Sequence, residues 1–474
     1  MSDAILQLRQ TLGIDAGPEE EIKKAYSVAL GLTGLNLEPA VKMLLPIYNP
    51  LRRRFPVDRP QMGGQHAIYR ALLGYSAALK DSDLFGVVFG AIGPENQHNA
   101  VTFQIPYASL AINDKVVWEA IQMARAYDDA MATATQASLV RLLRAEEQVV
   151  LGANRDAISA PSAPALTAQS SGGSIGAVTV NVRVTALTYL GWRAGSQGGA
   201  SAVGETDPSP QASVSFASGS TNSVLATWPA VKGAVAYNIY VNGFYYATSF
   251  INRVVITSVP TSGNAPPASN TTANPNIFEG IISWCTRDVV YGVSVDKSGL
   301  FIDAGGAGLT AQAGGIKEFD DILGNLWNRW QISPSLIVGS AAAVRSLTAK
   351  LMSLNNALQY RVAIEGERGG FTGGVILAGY INKFAASVEG LPAVIPVMAH
   401  PYMPDGMFLF LAERIPYPYS REGRGFALDV QTPYTYFPLA RTDRSFPFSV
   451  FLTETLKCYM PPAQAALVCF DVNA

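Results

Sequence analysis

Apolar and polar positions alternate in three different rhythms along this chain, and each predicts a different kind of element. The first rhythm is helical. From Asp114 to Gly152 no Pro or Gly interrupts the run, and Ala, Arg, Gln, Glu, Met and Leu dominate it. Asn113 or Asp114 can cap its start, and Gly152 can take the left-handed turn that ends it. The pattern predicts one rod of about 55 Å at ~1.5 Å per residue. Its apolar spacing holds no strict heptad, which favours a spine for other elements to lie along over a bundle or coiled-coil helix.

The second rhythm has a period of two. Val101, Phe103 and Ile105 alternate with Thr102 and Gln104, a half-buried strand at the end of a Gly-punctuated stretch from Asp81 to Pro106. Gly90, Gly93 and Pro94 supply turns, so a two-stranded excursion is predicted, and such a ribbon needs a partner surface. Residues 160–275 repeat the rhythm in short strands and carry only six charges: Arg183, Arg193, Glu205, Asp207, Lys232 and Arg253. Asn242-Gly243 marks a two-residue hairpin. The phrase TWPAVKGAVAYNIYVNG resembles fibronectin type III and related immunoglobulin-like modules. On that resemblance Trp228 lies in the core of a β-sandwich, with Tyr237, Ile239 and Val241 alternating on the next strand. Ser-, Pro-, Asn- and Thr-rich text flanks the region at both ends and reads as flexible linkers, so the sandwich is predicted to be a module plugged into a host fold.

The third rhythm mixes the two. Phe319, Ile322, Leu323, Leu326, Trp327 and Trp330 sit at helical spacing. A short apolar strand follows, and Ser340 can cap a further helix. Apolar strands broken by Pro404-Asp405-Gly406 come next. Strands alternating with helices predict α/β structure here, returning to β from Phe437. Before the rod, residues 1–40 hold two short helical patterns, with Glu19, Glu20 and Glu21 opening the second. Four prolines between Leu44 and Pro60 make an extended arm.

Composition narrows the functional classes. Lys and Arg total 34 against 36 Asp and Glu, a net charge of −2 that announces no nucleic-acid binder. The one basic concentration is Arg52, Arg53 and Arg54 with Arg59 nearby. It reads first as a solvated turn or an intersubunit ion-pair donor, and second as a contact for packaged nucleic acid. Cys285, Cys458 and Cys469 form no CxxC pair. His66, His98 and His400 are far apart and read as surface or core residues. No basic start precedes an apolar run at the N-terminus, and no apolar stretch is long enough for a membrane span.

No catalytic constellation emerges, and no catalytic, cofactor or metal residue is assigned. Gly172-Gly173-Ser174-Ile175-Gly176 matches a nucleophile elbow, but a strand follows it where a helix is required. The paired carboxylates Asp128-Asp129, Glu146-Glu147 and Asp320-Asp321 read as solvated or intersubunit groups. Asn270-Thr271-Thr272 reads as linker.

In order and texture the parts resemble the major capsid protein of tailed bacteriophages, the Hong Kong 97-type fold. The resemblance covers the chain apart from the insert. It implies an α+β fold: residues 1–60 as N-terminal arm, 61–112 as extended loop region, 113–159 as the spine helix of a peripheral domain, 160–275 as an inserted immunoglobulin-like sandwich, 276–436 as axial domain and connections, and 437–474 as C-terminal strands of the peripheral domain. It further implies a non-enzymatic subunit that assembles with copies of itself into pentamers and hexamers of an icosahedral head shell. Such a subunit is found in the virion, and in the host cytoplasm during assembly. Scaffold, portal and cement proteins are further partners the family uses, along with nonspecific contact with packaged DNA and none with membrane. Some members join subunits through a Lys–Asn bond. Lys80 sits at the entry of the loop and not on its tip, so that crosslink is not carried over. The start at Met1 points to a separate scaffold or none, and to no cleavage. A surface or tail-associated adhesin using the immunoglobulin-like module is the rival reading.

Overall fold

The computed structural model describes residues 48–59, 64–75, 98–124, 129–312, 315–353, 379–384, 394–415 and 423–474. The helical patterns of residues 1–40, Gly90, Gly93, Pro94, Lys80 and Asp128 lie outside the described residues. The chain divides into two compact units. The smaller contains, among described residues, 112–124, 129–141 and 436–450, and the larger contains the rest.

In chain order the elements begin with helix α1 (Pro50–Arg54) and strands β1 (Val57–Asp58), β2 (His66–Tyr75), β3 (His98–Pro106) and β4 (Ala108–Val117). Helices α2 (Trp118–Ala124) and α3 (Ala130–Gly152) follow. The expected half-buried strand is β3, with Phe103 and Ile105 buried, but its antiparallel partner is β2, upstream of the Asp81–Pro106 stretch expected to hold both strands.

The single rod from Asp114 is corrected. Strand β4 takes residues up to Val117, and the backbone N–H of Trp118 donates to Arg444 O at 2.9 Å. Val116 and Val117 are β-branched and suit a strand once a partner is available. Asp114 caps nothing: its carboxylate accepts from Ser138 Oγ at 3.1 Å. The long helix starts at Ala130, where Asp129 Oδ1 accepts from Met131 N and Ala132 N. It runs for 23 residues, about 35 Å at the standard rise. Gly152 is still helical and has no positive φ. Packing requires its missing side chain, since a Cβ there would sit 2.1 Å from Tyr189 Cγ.

Within the larger unit, residues 160–275 form two sheets. Their strands are β5 (Ala165–Gln169), β6 (Thr179–Leu187), β7 (Ala212–Ser215), β8 (Ser223–Thr227), β9 (Ala236–Val241), β10 (Phe244–Ser249) and β11 (Arg253–Ile256), with a short helix α4 (Tyr189–Arg193) after β6. One sheet has the order β10-β9-β6-β7, the other β11-β8-β5. Asn242 and Gly243 turn β9 into β10 with φ of 51° and 86°, both positive as a type I′ hairpin demands. Trp228 is buried against Tyr237. The expected alternation along β9 is replaced by burial of all six residues. The segment after α4 covers the second face: Tyr240 donates its hydroxyl to Glu205 and Asn238 Nδ2 to Ser196 O.

The flanking text is ordered, contrary to the linker expectation. Asn274 N donates to Arg155 O, Asn154 Nδ2 to Thr272 O, and Asn270 Nδ2 to Ile158 O. Side-chain amides and hydroxyls here take up backbone groups that a loose linker would leave to water. Nor is the sandwich a separate plug. Its core residues Val184, Trp228 and Ile239 belong to one hydrophobic cluster with Trp284, Leu336 and Met407 of the host segments.

The chain after the sandwich gives helix α5 (Ile281–Thr286), the short ribbon β12 (Val289–Val290) and β13 (Val293–Ser294), and β14 (Phe301–Asp303). A second short ribbon, β15 (Ala311–Gln312) and β16 (Gly315–Ile316), leads into helix α6 (Lys317–Trp330). Strand β17 (Leu336–Gly339), helix α7 (Ala341–Ser353) and strands β18 (Gly379–Ile381), β19 (Val394–Ala399) and β20 (Met407–Leu411) follow. The chain closes with β21 (Phe426–Pro438), β22 (Ser445–Cys458) and β23 (Ala465–Val468). A mixed six-stranded sheet takes the order β14-β23-β20-β17-β19-β18. Phe319, Ile322, Leu323 and Leu326 of α6 are buried, whereas Trp327 and Trp330 are only partly covered. Ser340 caps α7 by accepting from Ala343 N. β23 lies between β14 and β20, so the boundary expected at residue 437 does not part it from this sheet.

The smaller unit takes the far parts of β21 and β22, with Tyr436 and Phe448 stacked at 5.4 Å and Leu439 N donating to Pro447 O. Lys115 pairs with Asp443, and Arg441 lies 3.7 Å over the Phe446 ring.

Candidate functional site

The densest chemistry among the described residues is a buried group of acids in the larger unit. Glu146 and Glu147 leave α3, Glu454 leaves β22, and all three are fully buried. The expectation that Glu146 and Glu147 are solvated or intersubunit groups is therefore overturned. Adjacent helical positions diverge by ~100°, so burial of both means that α3 is covered over a wide arc.

Each carboxylate has its own role. Glu147 accepts from Leu51 N and Arg52 N, both at 3.0 Å, and so caps α1 from a distant part of the chain. Its Oε1 also meets His400 Nε2 at 2.9 Å. His400 Nδ1 accepts from Tyr402 N, which leaves Nε2 to carry the ring proton and donate it to Glu147. Glu146 accepts from Arg52 Nε at 2.8 Å and from the Tyr434 hydroxyl. Burial raises its pKa, and the hydrogen bond from Tyr434 and the charge of Arg52 oppose that rise.

Glu454 has no hydrogen-bond partner of the ordinary kind on either oxygen. Burial, and then the charge of Glu146, raise its carboxyl well above the usual range. Two ionised carboxylates side by side in a dry site repel, which favours the neutral form of Glu454. The site thus holds a turn of the arm segment onto α3 through one guanidinium and one imidazole N–H.

The basic cluster read from the sequence separates here. Arg52 goes inward to Glu146. Arg54 makes a two-toothed contact with Glu413, both distances 2.7 Å. Arg53 and Arg59 are exposed. Two of the three adjacent arginines are thus engaged within the chain, which corrects the expectation of a solvated turn or of Arg52 as an intersubunit donor. Nothing in the sequence signalled His400, Tyr434, Glu413 or Glu454 as partners, since they are contributed by segments hundreds of residues downstream.

The other candidates resolve locally. Asp320 accepts from Tyr380 OH and Lys383 Nζ, so it is an intrachain partner and not a solvated group. Ser174 donates to Thr257 O on a turn between β5 and β6. Thr272 is buried and accepts from Ile158 N. His66 is exposed. Cys285, Cys458 and Cys469 are free and buried, and burial pushes the Cys285 and Cys469 thiols up to about 12. Lys297 is fully buried, donating to Pro461 O and Gln464 O, and burial lowers its pKa to about 8. Among the described residues no group of His, Cys, Asp and Glu could hold a metal ion, and no helix is long and apolar enough to cross a membrane.

No protein family matches the sequence, and no curated protein does. Solved structures similar to this chain include phage capsids, a GTA particle capsid and an encapsulin complex. The capsid of cyanophage A-1(L) is 9% identical with a TM-score of 0.45, over 93% of this chain and 98% of that one. The capsid of a native GTA particle is 10% identical with a TM-score of 0.43, over 93% and 97%. A holo-SrpI encapsulin complex from Synechococcus elongatus is 10% identical with a TM-score of 0.37, over 95% and 96%.

Proposed function

We propose that this chain is a shell-forming subunit of the tailed-phage capsid class, a structural protein without catalytic activity. In this reading copies assemble into pentamers and hexamers of an icosahedral head that encloses a genome. The sandwich of residues 160–275 is an immunoglobulin-like domain on the outward face. Assembly takes place in the host cytoplasm, with scaffold, portal and cement proteins as further partners.

The observation that carries the reading is in the smaller unit. Val117, Trp118, Met123, Tyr436 and Phe437 are large apolar residues, and each remains 46–75% exposed. Exposed apolar surface of this kind marks a protein–protein contact. A subunit that buries it against copies of itself accounts for it. The β2–β3 ribbon supports the same reading, because Ile68 on it is 59% exposed and ribbons of two strands gain stability from a covering surface. The adhesin alternative calls for an autonomous module, and the core shared between the sandwich and its host argues against one.

The test is to express the chain alone and with a candidate scaffold, then measure particle size by light scattering and negative-stain electron microscopy. Closed shells of uniform diameter are expected. Monomers or small oligomers under every condition would sink the reading.

A further inference from the structure

Where the sandwich meets the rest of the larger unit, a second cluster forms from arginines and aromatic rings. Helix α4 ends in Trp192 and Arg193, and the turn after β19 carries Tyr402. The Arg193 guanidinium lies over both rings, 5.5 Å from the Trp192 centroid and 5.6 Å from that of Tyr402. Trp192 packs edge to face with Tyr189 and with Phe250. From α3, Arg144 donates through Nε to the Tyr402 hydroxyl at 3.3 Å. Tyr402 is itself fixed, since the Tyr189 hydroxyl donates to its carbonyl and its own N–H donates to His400 Nδ1. Arg193 is exposed, and Arg144, Trp192, Phe250 and Tyr402 are half-buried. Among the described residues neither arginine has a carboxylate partner.

We infer that Arg144, Trp192, Arg193 and Tyr402 form a docking site for an acidic segment of a partner protein. Two guanidinium groups converge on one tyrosine with no acid to neutralise them, so the complementary group is a carboxylate, whose oxygens an arginine fork binds two at a time. A free surface arginine loses rotamer freedom when it binds. Contact with two rings already restricts Arg193, so less is lost on docking. Trp, Tyr and Arg are also the residue types that carry most of the binding energy at protein interfaces. The partly exposed rings of Trp192, Phe250 and Tyr402 give the methylene stem of a glutamate an apolar surface to lie on. A nucleic-acid backbone calls for a run of cations. Residues 160–275 hold only Arg183, Lys232 and Arg253 besides Arg193, and Lys232 is paired with Asp288. Docking here requires only the folded larger unit, so it stands whether or not copies of the chain form a shell.

The experiment titrates the full chain into a short fluorescent peptide in which Glu alternates with Leu, and reads binding by polarisation. The same peptide with Gln for Glu, and a DNA single strand of equal charge, are the comparisons. The parent chain should bind the Glu peptide and not the Gln one. Arg193→Gln and Arg144→Gln should each weaken binding by about tenfold. Arg193→Lys keeps the charge without the planar fork and should recover only part of the loss. Arg253→Gln removes an equal charge from the exposed strand β11 of the same sandwich and should change binding by less than about twofold. If the half-buried Arg144 variant fails to fold, Arg193→Gln decides, because its side chain is exposed. No binding by the parent chain, equal binding of the Gln peptide, or equal losses from Arg193→Gln and Arg253→Gln would overturn the assignment. So would displacement of the peptide by the DNA strand at equal charge, which would make the cluster a phosphate contact.

Discussion

Glu454 lies near Glu146 in a fully buried place, where burial and the charge of Glu146 raise the Glu454 carboxyl well above its usual range. A carboxyl whose folded pKa is raised binds its proton more tightly in the folded state, so ionisation costs stability. The penalty is absent below the unfolded value near 4.5 and grows as pH rises above it. Glu454→Gln mimics the protonated form at every pH. Its unfolding free energy from urea titration should exceed that of the parent at pH 7 by an amount on the order of 1 kcal/mol, and the two should converge near pH 4. A variant less stable than the parent at pH 7 would count against a neutral Glu454.

Two neighbouring arginines should respond differently to removal. Arg52→Ala leaves Glu146 buried without its cation, a loss of about 2–4 kcal/mol. Arg54→Ala breaks a contact with a 39% exposed guanidinium, worth about 1 kcal/mol or less. Denaturant unfolding of both proteins gives the comparison directly, and equal losses would contradict the burial assigned to Glu146.

The position of the long helix gives a paired proline test. Ala132 lies in its first turn, so Ala132→Pro forfeits the cap bond from its N–H to Asp129 and little else, about 1 kcal/mol. Ala145→Pro, exposed but mid-helix, should cost ~3 kcal/mol or more. Thermal melts followed by circular dichroism would rank them. The reverse order would restore a helix that begins near Asp114.

Deleting residues 160–275 should destroy the larger unit and not spare it. Asp303 would lose Ala230 N and Asn252 Nδ2, and the shared core would open to water. A soluble deletion protein with a cooperative melt would show that the host folds alone.

The three thiols should be silent in the native protein. Cys285, Cys458 and Cys469 are buried, and burial disfavours their thiolates. A thiol-reactive dye at pH 8 should label none of the three before denaturation and all of them after it.

Periodicity was a sound guide where one face of an element meets one core. Strand β3, the Asn242-Gly243 hairpin, the buried stripe of α6 and the Ser340 cap all follow from local pattern. It misled where a distant segment supplied the partner. Residues 114–117, read as the start of the rod, became strand because a hydrogen-bonding neighbour lay more than 300 residues downstream. Glu146 and Glu147 looked like a solvated pair because Arg52 and His400 are remote in sequence. Ser- and Asn-rich text looked like linker because its hydrogen bonds close on each other across more than a hundred residues. The acid cluster was therefore illegible in advance, and only its arginine edge was visible as Arg52 to Arg54.

One more consequence concerns Arg287. Its guanidinium reaches Asn154 Oδ1, Asp156 O and Ala157 O at the neck where the sandwich joins its host, with Glu279 beside it. A neck fastened in this way has no hinge. A peptide grafted into the Asn242-Gly243 turn would be presented at a constant attitude, without the swing that a tethered tag would have.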